Sequence, residues 1–143
     1  MISFLPFKAE HIARLNLQPA QEHLRPYIKI DELKSLEGDT AFTLLKEGKP
    51  VLCGGVTPLW EQRGLMWSFV GDDMTKRDFV EIHYLVKYYI NTLEYKRLEM
   101  YVDVDFKNGH RWAKALGFEV EAPCMAAFHP NGTASAMYSR VRA

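Results

Sequence analysis

Cysteine is scarce in this chain of 143 residues, and the two present, Cys53 and Cys124, lie far apart without CxxC spacing. Neither a disulfide framework nor a metal knuckle follows from that spacing, and both are expected to be reduced core thiols. An excess of one charge is also missing, since 18 basic residues balance 18 acidic ones and no block of like sign stands out. The electrostatic footprint of a nucleic-acid or anionic-membrane binder is therefore absent. No apolar run is long enough to span a bilayer, and MISFLPFKAEH lacks the basic and apolar regions of a secretion signal. The expectation is a soluble cytoplasmic protein. GxSxG, Walker, HExxH and GxGxxG motifs are missing too, so no metal is expected and the common nucleophile and nucleotide templates do not apply. There is no Pro/Gly/Ser-rich linker and no internal repeat, and at 48% hydrophobic the chain suits one domain over residues 1–143.

What is present is a sequence of alternating periodicities. Ile2 to Phe7, broken by Pro6, reads as an edge strand running into a helix that carries Ala9, Ile12 and Leu15 on one face. The least regular stretch, residues 18–38, is read as a short helix before Pro26 and another over Asp31 to Leu36 with Asp31 as N-cap. Asp39 to Lys46, the EGKP turn and VLCGGVTPLW form a hairpin, in which Gly54 and Gly55 mark either a bulge or a close backbone approach. Leu65 to Val70 is a third strand with Leu65, Trp67 and Phe69 on one face. The longest helix, Thr75 to Leu93, follows; Phe79, Ile82, Val86, Tyr89, Ile90 and Leu93 form its stripe, and Thr75 with Asp78 forms a capping box. His83 is expected at the boundary of that stripe.

Residues 97–120, RLEMYVDVDFKNGHRWAKALGFEV, organise the remainder. Leu98, Met100, Val102 and Val104 alternate with Glu99, Tyr101, Asp103 and Asp105, which gives a strand with an apolar and a polar face. Asn108 and Gly109 end that pattern. A short helix then presents Trp112, Ala115 and Leu116, and Gly117 stops it. The chain closes with Glu119 to Phe128, interrupted at Pro123, the turn HPNGT, and Ala134 to Val141, a final hairpin.

Asn108, Leu116, Gly117 and Phe118, together with this order of elements, resemble the GNAT (GCN5-related N-acetyltransferase) superfamily. The resemblance implies an α/β (α+β) fold with a mixed, mostly antiparallel sheet of six or seven strands and helices on both faces. It implies acetyl-CoA or another acyl-CoA as cosubstrate, with the phosphates at Val70-Gly71-Asp72-Asp73-Met74-Thr75-Lys76-Arg77. The family's glycine-rich pattern is not kept there: Gly71 is alone and two aspartates repel a diphosphate, leaving Thr75, Lys76, Arg77 and helix N–H groups to serve. Phe69, Val70, Gly71 and Asn108 complete the expected cofactor contacts. The family's helix tyrosine is replaced by Ala113, so Tyr101, Asp103 and His110 become the candidates for acid/base work. In the expected mechanism a main-chain N–H near Val70 polarises the thioester and Asp103 takes the proton.

PFKAEHI and HRWAKALGF further resemble the short acetyltransferase-like and internal virion proteins of T7-like bacteriophages. That resemblance implies two functions. One is an acyltransferase acting in the host cytoplasm on an amine or metabolite, as monomer or homodimer. The other is a catalytically degenerate fold serving as a virion component or as a binding protein for a host enzyme, with Trp60, Pro58, Leu59 and Arg63 as contact surface.

Overall fold

The computed structural model describes residues 1–142. Seven strands follow the hydrogen-bonded order β1-β2-β3-β4-β5-β7-β6. They are β1 (Ile2–Pro6), β2 (Phe42–Lys46), β3 (Lys49–Trp60), β4 (Arg63–Val70), β5 (Arg97–Asp103), β6 (Glu119–Met125) and β7 (Ser135–Val141). The sheet is mostly antiparallel, with parallel pairing where β4 meets β5. Five helices accompany it: α1 (Glu10–Ala13), α2 (Pro19–Glu22), α3 (Ile30–Leu33), α4 (Lys76–Thr92) and α5 (Lys107–Ala115). The mixed α/β architecture expected from the sequence is thus present. No helix among the described residues is long and apolar enough to cross a membrane. The chain divides into two compact units, one made of Met1–Thr57 and Trp67–Thr92, the other of Pro58–Met66 and the residues from Leu93 onward.

In the first unit, β2 is buried on both faces because adjacent side chains point opposite ways. Phe42 meets the Tyr89 ring of α4 at 4.9 Å, while Thr43 accepts or donates a 2.7 Å hydrogen bond with His11 Nδ1 from the α1 side. Ile82, Val86 and Ile90 form the buried stripe of α4, with His83 half-buried beside it. On the α1 side, Phe7, Ala9, Ile12, Leu15, Leu17, Ala41 and Cys53 make the core, and Trp67 and Phe69 pack against it. Burial raises the Cys53 thiol to a pKa of about 11, so it stays a protonated core group.

The β2–β3 turn places Glu47 and Gly48 at φ 51° and 79°, the left-handed pair that matches strand twist in a two-residue hairpin. The sheet irregularity lies between Leu44 and Leu45, opposite the Pro50–Leu52 stretch, and not at the glycines, since Gly54 pairs with Phe42 in register. The bulge expected at Gly54 and Gly55 is thus corrected, and the glycines serve a close backbone approach. A Cβ on Gly55 would stand 2.8 Å from both Ala41 Cα and the Thr40 carbonyl oxygen. The second short helix also differs from expectation: α3 begins at Ile30 behind Lys29, and Asp31 lies inside its first turn. Without a following apolar repeat, the sequence offered no register for that cap.

In the second unit, β5 pairs with β4 only over Arg63–Leu65 and with β7 along its whole length. Helix α5 starts earlier than expected, taking in Asn108 and Gly109, and it buries Gly109, Ala113 and Leu116 where Trp112, Ala115 and Leu116 were expected. Gly109 explains the shift. A Cβ there would fall 2.5 Å from the Phe106 ring and 2.7 Å from Val102, so only glycine lets this helix face approach. Gly117, at φ 96°, ends α5 as expected, its N–H bonded to the Lys114 carbonyl at 3.0 Å. Cys124 is exposed on β6, a correction to the expectation of a core thiol.

Glu99, expected on the polar face, is fully buried. Its carboxylate receives both Arg63 Nε and Arg63 Nη2, the latter at 2.9 Å, and Arg97 Nε at 2.7 Å. Arg97 also reaches Glu121 at 2.6 Å. Arg63 and then Arg97 hold the Glu99 carboxyl below the ordinary carboxylate range, despite its burial. Removing one member of such a buried cluster leaves charge without a partner and costs about 3–5 kcal/mol. Glu99→Ala should lower unfolding stability by that amount in urea titration; a loss below about 1 kcal/mol would show that the cluster is a surface pair in effect.

Candidate functional site

At the C-terminal end of β5, Tyr101 is exposed and Asp103 half-buried. The β6–β7 loop folds over this end. Phe128 N–H and His129 N–H both donate to the Thr133 carbonyl at 3.1 Å, and Gly132 N–H donates to the His129 carbonyl at 2.8 Å. Asn131 Oδ1 accepts from Thr133 N–H at 3.1 Å and from its hydroxyl at 2.7 Å. So fixed, the loop sets the Phe128 ring 4.8 Å from Tyr101 and brings His129 Nε2 into ion-pair contact with Asp103 Oδ1. A neutral imidazole that donates one N–H to a carboxylate is oriented by it, and its other ring nitrogen can accept a proton. His129 was missed in the sequence because HPNGT reads as turn chemistry; its one signal was a titratable residue in a loop before a hairpin strand.

His110 does not join Tyr101 and Asp103. Its Nε2 lies 2.9 Å from the Val104 carbonyl and its Nδ1 2.6 Å from the Tyr138 hydroxyl. A carbonyl only accepts, so Nε2 carries the proton and Nδ1 receives the Tyr138 O–H. Burial raises the Tyr138 phenol and keeps that donor protonated. His110 thereby fastens α5 to β7, and moving a proton at either nitrogen would break a bond of the frame. Asn108 is exposed in the first turn of α5, and Ala113, in the tyrosine's place, is 1% exposed in the core.

The other candidates gather in the first unit, where β4 runs into α4. Phe69 turns its side chain to the core, its ring 6.1 Å from Trp67, and so offers only main chain. Gly71 N–H donates to the Val51 carbonyl of β3 at 2.7 Å. Successive strand residues direct their polar groups to opposite edges, so Val70 and Ser68 address the edge away from β3. Residues of the α2 region occupy that edge. Gln21 Oε1 accepts Val70 N–H at 2.7 Å, Gln21 Nε2 donates to the Ser68 carbonyl at 2.8 Å, and Gln18 N–H donates to the Val70 carbonyl at 2.8 Å. The N–H near Val70 expected to polarise a thioester is therefore engaged.

At the start of α4 the capping box is formed: Thr75 N–H donates to Asp78 Oδ2 at 2.9 Å, and Asp78 N–H donates to Thr75 Oγ1 at 3.1 Å. Asp72 N–H is bonded to the Asn16 carbonyl at 2.7 Å. Lys76 and Arg77 are exposed beside this turn. A diphosphate here would be met by those two cations, while the capping box takes the Thr75 and Asp78 N–H groups and sets the Asp78 carboxylate against the anion.

The fold is that of the GNAT acetyltransferases. Among solved structures, the chain is similar to Ard1 from Thermoplasma volcanium, with 13% identity over 99% of this chain and 98% of that one and a TM-score of 0.75. An N-acetyltransferase from Staphylococcus aureus matches at 11% identity, 99% and 97% coverage and a TM-score of 0.71. The ribosomal-protein-S18-alanine N-acetyltransferase from Escherichia coli matches at 12% identity, 99% and 94% coverage and a TM-score of 0.67. No protein-family model matches the sequence, and no curated protein matches it.

Lys46 Nζ lies 2.6 Å from Asp78 Oδ2, and that contact, with the Thr75 N–H, lowers the Asp78 pKa from 3.8 to about 2. A depressed carboxyl stabilises the fold at pH above its unfolded value and loses that contribution as pH falls toward its folded value. Stability should thus decline between pH 3.8 and about 2 more steeply in the native chain than in Asp78→Asn. Parallel acid-unfolding curves for the two proteins would show that the pair contributes nothing.

Proposed function

We propose that this chain, acting as one domain over residues 1–143, is a phage-encoded acyltransferase that moves an acyl group from acyl-CoA to an amine of the host cell. The observation that carries this reading is the Asp103–His129 pair at the end of β5, beside Tyr101 and Phe128. In an aminolysis the amine nitrogen attacks the thioester carbonyl carbon, the C–S bond breaks, and the nitrogen must lose a proton. His129 would receive that proton, with Asp103 orienting the ring and stabilising the imidazolium, which would in turn protonate the departing thiolate. Lys76 and Arg77 would meet the phosphates of the cosubstrate. Tyr101 and Phe128 form an aromatic wall suited to an acceptor's apolar part.

The phage origin rests on PFKAEHI and HRWAKALGF, and action in the host cytoplasm rests on that origin. A second reading, a fold kept for binding a virion or host protein, is favoured by one observation: Trp60 is 62% exposed, with the Arg63 guanidinium 4.5 Å above its ring.

The test is release of free thiol from acetyl-CoA and longer acyl-CoAs in the presence of a panel of amines. Activity should fall about 10²–10⁴-fold in His129→Ala and in Asp103→Asn, with little change in KM for the acyl-CoA. His110→Gln should affect stability more than kcat. Thiol release that persists in both dyad variants would remove the pair from the mechanism, and no release with any amine would favour the binding protein.

A further inference from the structure

The edge of β4 that faces away from β3 is satisfied by side chain where a neighbouring strand would normally supply main chain. Gln21 presents one acceptor and one donor to Val70 N–H and the Ser68 carbonyl, the same pair of groups that one residue of an extended strand presents through its two flanking amides. Gln18 N–H takes the Val70 carbonyl, Leu17 bridges antiparallel to Gly71, and Gln18 Nε2 lies 3.3 Å from Gln21 Oε1. The chain thus lays a carboxamide and a short piece of its own backbone along Ser68–Gly71 as a surrogate strand.

We infer that Gln21 is an internal competitor for an amide-bearing ligand at this edge, and that the segment from Gln18 to Leu24 must leave β4 before such a ligand can pair with it. This inference rests on the acyl-CoA reading above, since the pantetheine arm carries two secondary amides of the same donor and acceptor type. Three features suit the segment to leaving. Helix α2 is a single turn with no buried residue, so lifting it uncovers little core. Its two ends are anchored: Leu15 and Leu17 are buried at 3% and 4%, and Arg25 Nη2 donates to the Leu15 carbonyl at 2.9 Å. Gln18, at φ −60° and ψ 151°, is extended immediately before Pro19, which confines the bend to one place. The C=O of one ligand amide and the N–H of the other replace the two bonds of the Gln21 carboxamide, so the polar exchange is nearly neutral. Affinity then falls by the cost of opening.

Isothermal titration with coenzyme A and acetyl-CoA tests this in the full chain. Gln21→Ala should bind about tenfold tighter than the native protein, because its edge is already open. Gln18→Pro, which keeps the φ of that residue but removes the N–H on Val70, should tighten binding in the same direction and guards against a folding defect in the first variant. Amide exchange at Val70 should speed up in Gln21→Ala and slow again when coenzyme A is added. Native protein that fails to bind while a variant binds also supports the inference. Equal affinity in all three proteins overturns it while leaving the acyl-CoA reading intact. Absence of binding in all three overturns both.

Discussion

The buried carboxylate of Glu99 is the constraint on which the second unit depends. A charge removed from water must be compensated nearby, and Arg63 from β4 and Arg97 from β5 do so within hydrogen-bond distance. Arg63 and Arg97 are also register partners in the parallel pair. The ion cluster and the strand register therefore fix each other: a slip of one residue would turn Glu99 to the other face and leave its charge without partners. Only three residue pairs join β4 to β5, whereas β5 pairs with β7 over seven. The shorter ladder is held by charge as well as by main chain, and the rest of β4 is freed to satisfy its groups elsewhere.

How those groups are satisfied decides what the first unit can do. Buried main-chain donors and acceptors need partners, and β4 finds them in Gln21 and Gln18. The start of α4 follows the same rule. Asp78, which Lys46 holds in place, accepts the Thr75 N–H and faces the positive end of the helix. At the β4 edge, pairing with an amide-bearing ligand would exchange one partner set for another.

Much of the fold was legible because its signals are local. Period-two alternation marked β2, β4, β5 and β7, an apolar run marked β1, the EGKP turn marked β3, the Thr75–Asp78 spacing marked the start of α4, and Gly117 marked the end of α5. The errors turn on contacts that periodicity does not encode. Glu99 sits among polar residues at alternate positions, and the bonds from Arg63, 36 residues earlier, and from Arg97 make its burial tolerable. Gly109 was read as the end of the strand pattern, whereas its closeness to Phe106 and Val102, which exclude any Cβ there, sets it inside α5. In the candidate site, the strand pattern marked Asp103 and Tyr101 as candidates on one face, whereas His129 lay in a turn that carried no pattern. Gln21 lay in the least periodic stretch, where no pattern marks a side chain that acts as a strand.

The two readings of function differ in what these completed edges are for. A fold kept only as a scaffold gains by closing β4 permanently, and it would do so most stably with a full paired strand whose side chains are buried. The chain uses instead a one-turn helix without a buried residue and a carboxamide whose two bonds a residue of an extended strand could equally make. It also keeps an oriented histidine and carboxylate at the end of β5, a pairing that strand geometry alone does not require. An edge closed by side-chain hydrogen bonds and a single helical turn is suited to exchange of partners, since each bond it gives up is one that an incoming donor or acceptor can restore.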